Sequence, residues 1–158
     1  MFDPDEAALI DGGSSLSVGT VDADGAPLAT RGWAAEIVDP GPPPQVRMLI
    51  AVTDTAALAN LEATRAIAVT AADVPTLNSL QFKGHVEAFS EVTDDDLERV
   101  ERYLDALFGD IERADGARRE ALVRWVPIGY VACTIEVTDR FDQTPGPGAG
   151  APIRSATR

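Results

Sequence analysis

Ser79-Leu80-Gln81-Phe82-Lys83-Gly84-His85-Val86-Glu87 decides the reading of this chain. In an extended strand successive side chains alternate between faces, so Ser79, Gln81, Lys83, His85 and Glu87 share one face while Leu80, Phe82 and Val86 share the other. The polar face holds the only Lys and the only His of the sequence. It reads either as the solvated outside of an antiparallel sheet or as a ligand-facing wall on which Lys83 holds an anionic group. The strand extends to about Val92, with a bulge expected near Gly84.

Upstream of it, Leu16-Ser17-Val18-Gly19-Thr20-Val21 and the run from Pro27 to Val38 flank Asp22-Ala23-Asp24-Gly25, a hairpin whose Asp-Gly supplies the positive-φ turn position. The proline-rich stretch 40–44 stops the second strand, because proline cannot donate to a ladder, and a third strand follows over 45–52. Thr53 or Asp54 caps a short helix over 55–64, and residues 66–71 form a fourth strand. Downstream, Thr93 with Asp94, Asp95 and Asp96 opens a second helix, whose apolar face of Leu97, Val100, Tyr103, Leu104 and Leu107 runs to Gly109. Residues 110–124 are polar and partly helical over 117–123, and a last strand spans 129–138. The order of strands, helix, strands, helix, strand predicts a mainly β (α+β) antiparallel barrel with flanking helices and argues against a doubly wound sheet.

Composition narrows the function. The 158 residues suit one domain with a substantial core. One Cys and one His cannot furnish a four-ligand zinc site or an internal disulfide, so no metal is expected. A net charge of −13 with scattered arginines argues against nucleic acid. With no bilayer-length apolar run and no basic leader at the start, the expected location is the cytoplasm, away from membranes. Cys133 lies within an apolar strand and reads as an inert buried thiol, and no nucleophile-base set has a signature, which leaves catalytic residues unassigned. Arg31, Gly32 and Trp33 sit on the second strand, where an arginine can fork onto phosphate and a glycine lets a ligand approach the backbone; a surface arginine beside a packed tryptophan fits the same pattern. Trp125 and Pro127 read as anchors of the last strand. Residues 142–158 are dominated by Gly, Pro and Ala and read as an irregular tail.

The meander, the helix after its third strand, the Ser79 to Glu87 strand, the Thr93 helix and the final strand together resemble the pyridoxamine 5′-phosphate oxidase-like split barrels that bind flavin. The likeness spans residues 8–141 and is sharpest at Arg31 to Ala35 and Ser79 to Glu87. It implies a homodimer that holds FMN, or the deazaflavin F420, in grooves shared by both subunits. By this resemblance Arg31, Gly32, Trp33 and Ala34 line the isoalloxazine ring, Thr53 and Thr55 stand where phosphate is held, and Ser79, Gln81 and Lys83 complete the pocket. The chain departs from the pattern where a basic pair is common at the start of the first helix and here reads Thr55-Ala56-Ala57-Leu58. It also lacks the C-terminal Trp and Arg pattern for vitamin B6, so pyridoxamine phosphate oxidation is not expected. The implied function is a flavin-dependent oxidoreductase acting on a small molecule; the alternative is a non-catalytic split-barrel homodimer that has lost the cofactor and serves as a binding or structural module.

Overall fold

In the computed structural model, which describes residues 1–154, six strands close into one antiparallel barrel: β1 (Ser15–Val21), β2 (Pro27–Asp39), β3 (Gln45–Ala51), β4 (Ala66–Ala72), β5 (Ser79–Ser90) and β6 (Tyr130–Asp142). Their order is β3-β2-β1-β4-β5-β6, and β3 pairs with β6 to close the ring. The meander β1–β2–β3 is present with Gly25 at φ 85° in its first turn. Closure removes the exposed edges an open sheet would leave. The interior is filled by alternate residues of each strand, among them Leu16, Val18, Met48, Ile50, Val69, Leu80, Phe82 and Ile135, all at or below 1% exposure. On β5 the alternation expected from the sequence holds: Leu80, Phe82 and Val86 are buried, while Lys83, His85 and Glu87 are exposed. Gly84 marks the expected bulge, where the β5–β6 register shifts, and a Cβ there would lie 1.8 Å from the Glu136 carbonyl oxygen.

Four helices flank the barrel: α1 (Pro4–Asp11), α2 (Thr55–Thr64), α3 (Asp94–Asp115) and α4 (Arg119–Leu122), the last followed by a 3₁₀ turn at Val123–Trp125. Helix α2 begins where the Thr53/Asp54 signal puts it and is tied to β1 through Asn60 to Thr20 (3.1 Å) and Thr64 to the Val21 carbonyl (3.1 Å). Helix α3 starts as expected after Thr93 but runs past Gly109 to Asp115. The left-handed residue that ends it is Gly116, at φ 66°, and Phe108 and Ile111 continue its core-facing stripe. Helix α1 was not part of the sequence reading. Its signal is Asp3-Pro4-Asp5-Glu6, in which Asp3 and Glu6 form a reciprocal capping box and Pro4 sits in the first turn. It seals one side of the barrel with Phe2 and Ile10, and Glu6 forms a buried ion pair with Arg140.

The expectation of an irregular chain beyond Phe141 holds at residues 143–150, which form only bends and turns, and is corrected at residues 142 and 151–152. Strand β6 continues to Asp142, and residues 151–152 form β7 against Phe141 and Asp142. The Ile153 amide then donates to the Arg140 carbonyl (2.8 Å). The reason is backbone hydrogen bonding: β3 leaves β6 at Glu136, so the end of β6 has an open edge that even a Gly-Pro segment can pair with. Residues 155–158 of the expected tail lie outside the described residues. No helix among the described residues is long and apolar enough to cross a membrane.

Candidate functional site

The site lies on the outer surface of the barrel, where β2 passes between the start of α2 and the 3₁₀ turn. Pairing with Ser17 and Leu49 turns Arg31 and Trp33 outward, and Gly32 between them faces inward. A Cβ on Gly32 would meet Met48 Sδ at 2.6 Å and Val18 Cγ2 at 3.0 Å, so this glycine makes room for the core and not for a ligand. Just beyond it the β2–β3 register shifts, and Ala34 adopts φ 45°, costly for a residue with a Cβ. The bulge turns the Ala34 carbonyl toward α3, where it accepts from Arg99 Nε (3.1 Å).

Arg31 is the centre of an aromatic cluster. Its guanidinium carbon is 5.8 Å from the Trp33 ring centroid and 5.6 Å from that of Trp125, so the cation lies between two indoles. Trp33 packs edge-to-face on Tyr130 at 6.3 Å. Arg31, Trp33, Thr53, Asp54, Arg124, Trp125 and Ile128 line a cleft of about 480 Å³. Through Thr30, Thr53 and Asp54 this cleft continues into a smaller one of about 260 Å³ at the start of α2, bordered by Thr55, Ala56 and Ala57.

The α2 start is unusual in being uncapped. Asp54 occupies the cap position but makes no side-chain bond to the helix amides, because its Oδ2 accepts from Thr30 Oγ1 (2.5 Å) instead. The first-turn N–H groups and the exposed hydroxyl-bearing residues Thr53 and Thr55 are therefore available donors at the positive end of the helix. That donor set fits a phosphate, the group by which an FMN or F420 cofactor would be held, with Arg31 and Arg124 along the same cleft. Asp54 is the one opposing charge.

A buried charge network fixes α3 over this surface. Asp96, 1% exposed, accepts from Arg47 Nε (2.8 Å) and Nη2 (2.5 Å), from Arg99 Nη2 (2.5 Å), and from the amide and hydroxyl of Thr93 (2.9 and 3.0 Å). Burial alone would favour the neutral acid, but these bonds from Arg47, Thr93 and Arg99 win and hold Asp96 well below the usual carboxylate range. Arg99 also pairs with Glu36 at 2.6 Å. One turn further along α3 this anchoring delivers Tyr103 to the aromatic cluster, 4% exposed and with burial pushing its phenol above the ordinary value. The Tyr103 hydroxyl is buried beside the Leu16 backbone and within electrostatic reach of Arg31 and Tyr130, and its ring borders a separate cavity with Glu36, Arg99 and Arg102. The Tyr130 hydroxyl is likewise buried without a partner. Both tryptophans of the chain thus lie against Arg31, with Tyr130 packed behind Trp33.

The structure therefore brings Arg31, Trp33, Thr53 and Thr55 onto one continuous groove, with Ala34 buried beside it. Ser79, Gln81 and Lys83 stand apart within one protomer. Cross-strand pairing sets Arg31, Ser17, Thr70 and Gln81 in one outward row, so three strand spacings of roughly 4.8 Å separate Arg31 from Gln81. The Ser79 hydroxyl donates to the Leu77 carbonyl (2.8 Å), Gln81 donates to Thr70 (3.1 Å), and Lys83 Nζ lies 4.7 Å from the Phe141 ring centroid. Lys83 and His85 border a different, shallow cleft of about 680 Å³ floored by Gly19, Ala29, Ala66 and Ala68. Cys133 is fully buried and its thiol is pushed up to about 12 by that burial, in keeping with an inert core residue.

Sequence reasoning missed Trp125, Tyr103 and Tyr130. Trp125, expected as an anchor, is 52% exposed and covers Arg31. Tyr103 falls on the apolar stripe of α3 and Tyr130 opens a strand, so both look like ordinary core positions; only their scarcity, two in the chain, sets them apart.

No family model and no curated protein matches the chain. Among solved structures, an F420 reductase superposes with a TM-score of 0.56 at 19% identity, over 84% of this chain and 93% of its own. A protein from Lactobacillus delbrueckii assigned as a pyridoxamine 5′-phosphate oxidase gives 0.55 at 17% identity, over 89% and 93%. An FMN-binding protein from Syntrophomonas wolfei gives 0.52 at 11% identity, over 96% and 85%. Barrel order, flanking helices and these likenesses agree on one conclusion: the chain has the fold of the pyridoxamine 5′-phosphate oxidase-like, FMN-binding split barrels.

Proposed function

We propose that this protein is a flavin-dependent oxidoreductase, using FMN or F420 on a small molecule and working as a cytoplasmic homodimer. The observation that carries the reading is the uncapped start of α2, opening with Thr53 and Thr55 onto the cleft lined by Arg31 and Trp33. The α2 amides and the two threonine hydroxyls would hold the cofactor phosphate, and the β2 segment at Arg31, Trp33 and Ala34 would flank the ring. When bound, the flavin supplies the hydride or electron transfer. The chain's part is to bind, to orient and to exclude water: Trp125 covers the groove, and Arg31 places a fixed positive charge beside it. Ser79, Gln81 and Lys83 lie on the same outer surface three strands away, where they would reach the groove of a second subunit across a dimer.

One observation favours the alternative of a split-barrel homodimer without catalysis. Asp54 sets a carboxylate where the phosphate would dock, next to Ala56 and Ala57 in place of a basic pair. The absorption spectrum of the protein purified without added cofactor, followed by titration with FMN and F420, decides between them. A flavin or deazaflavin band, or saturable binding of either cofactor that Thr55→Pro weakens, supports the oxidoreductase. No binding of either gives the lead to the structural dimer, and a monomer in light scattering at micromolar concentration removes both forms of the shared pocket.

A further inference from the structure

We infer that Arg99 is a positioning residue for the groove: it clamps the strained bulge of β2 and so sets Trp33, with Arg31 against it, in the arrangement that receives the ligand. This deepens the proposed function, and it rests on that reading only for the claim that the ligand is a flavin.

Strand β2 loses its register with β3 directly after Trp33 and recovers it at Glu36, which pairs with Arg47. Within that interval Ala34, fully buried, adopts φ 45°. A conformation so costly for a residue with a Cβ persists only where its surroundings over-determine it, and bulges that re-aim a side chain recur beside binding sites. The surroundings here centre on one guanidinium. Arg99, itself buried, donates Nε to the Ala34 carbonyl (3.1 Å), pairs Nη1 with Glu36 (2.6 Å) and donates Nη2 to Asp96 (2.5 Å). The first two acceptors belong to the bulge, and the third is the carboxylate that also receives Arg47 from the facing strand. Three nitrogens on three acceptors fix a geometry that a single ammonium cannot. Arg99 does this from outside the groove: it borders the separate cavity of about 390 Å³ with Glu36, Asp11 and Arg102, and the cleft at Arg31 includes none of these four. What it governs is the residue before Ala34. Trp33 is 3% exposed, packs on Tyr130 and lies against the Arg31 guanidinium, so the path of the chain at Ala34 sets where both groove side chains sit.

The chain has two tryptophans, so Trp125→Phe leaves Trp33 as the sole reporter of the bulge. In that background Arg99→Met and Arg99→Lys, measured well below their melting temperatures, should give Trp33 a red-shifted emission and readier acrylamide quenching. Arg99→Lys, which keeps a charge beside Asp96, is the variant that stays folded if Arg99→Met does not. Leu107→Ala, a core cavity two turns further along α3, should lower the melting temperature and leave the Trp33 emission unchanged. That control separates positioning from stability, because a merely structural role moves the melt and not the native emission. With both tryptophans in place, either Arg99 variant should weaken whichever of FMN and F420 the wild type binds about 10-fold, since misplaced groove residues no longer meet the ligand together. Unchanged Trp33 emission in the folded Arg99 variants, the same red shift in Leu107→Ala, or wild-type cofactor affinity in the Arg99 variants overturns the inference. The two readings fail separately. A wild type that binds neither cofactor removes the oxidoreductase and leaves the Trp33 emission to decide the clamp, and cofactor binding with an unmoved Trp33 does the reverse.

Discussion

Helices α2 and α3 both follow a strand of the barrel and both open on threonine and aspartate, Thr53-Asp54-Thr55 and Thr93-Asp94-Asp95-Asp96, yet their N-termini do opposite things. At α3 every device is turned inward. Thr93 and Asp96 cap each other's amides, and Asp96 at the same time receives Arg47 and Arg99 from the barrel and from its own helix. At α2 the cap-position aspartate is diverted to Thr30 on β2, and the helix amides are left to whatever enters the groove. The difference teaches that a helix start becomes a binding feature when tertiary contacts take its capping side chain away. The same residue types, satisfied locally, make a structural joint.

The sharpest way to break this contrast is at Asp96. Asp96→Ala leaves the buried Arg99 and the partly buried Arg47 without their shared carboxylate, and should cost about 3 kcal/mol in urea unfolding, because removing one member of a buried network strands its partners. A loss below about 1 kcal/mol would mean that the network does not anchor α3. Its pH counterpart has a definite sign. The folded-state Asp96 carboxyl is held below its ordinary value of 3.8, so its stabilisation is complete above that range and fades as pH falls through it toward the depressed folded value. Wild type should therefore lose stability steeply below about pH 4, and Asp96→Asn should show a flatter acid limb in the same melts.

A smaller effect separates the two caps themselves. Thr93→Ala should cost about 1 kcal/mol, the usual value of a working cap, whereas Asp54→Ala, which loses only its bond to Thr30 and no helix amide, should cost about 0.5 kcal/mol. Equal losses at the two positions would erase the distinction drawn here. The smallest expected effect is on binding: with its opposing charge gone, Asp54→Ala should tighten inorganic phosphate about 3-fold, read by calorimetry at low salt. Weaker phosphate binding in that variant would show that Asp54 helps to build the site.

Much of the fold was legible from local pattern. Period-two alternation over Ser79 to Glu87, the Asp24-Gly25 turn and the Thr93 cap are each set by a few neighbouring residues, and each stands where the sequence places it. The end of α3 was misread because a glycine inside a helix and one at its end look alike until the backbone chooses the left-handed conformation, as it does at Gly116 and not at Gly109. The short pairing at residues 151–152 was missed because composition speaks of buried surface, and the contact that holds β7 is backbone pairing to an edge left open by β3.

For the site, the sequence by itself determined the inventory: an arginine beside a tryptophan at Arg31 to Trp33, hydroxyls at Thr53 and Thr55, a scarcity of Trp and Tyr, and a polar face on β5. Only the tertiary structure decided which of these meet. Barrel closure and the packing of the 3₁₀ turn bring Trp125 against Arg31 and Tyr130 against Trp33, from the far half of the chain, while Lys83 is carried three strands away on the same sheet. The physical reason is that alternation fixes which face of a strand a residue occupies, a property of near neighbours, whereas the company a face keeps depends on strand order and helix docking, which are set by contacts between residues far apart in sequence.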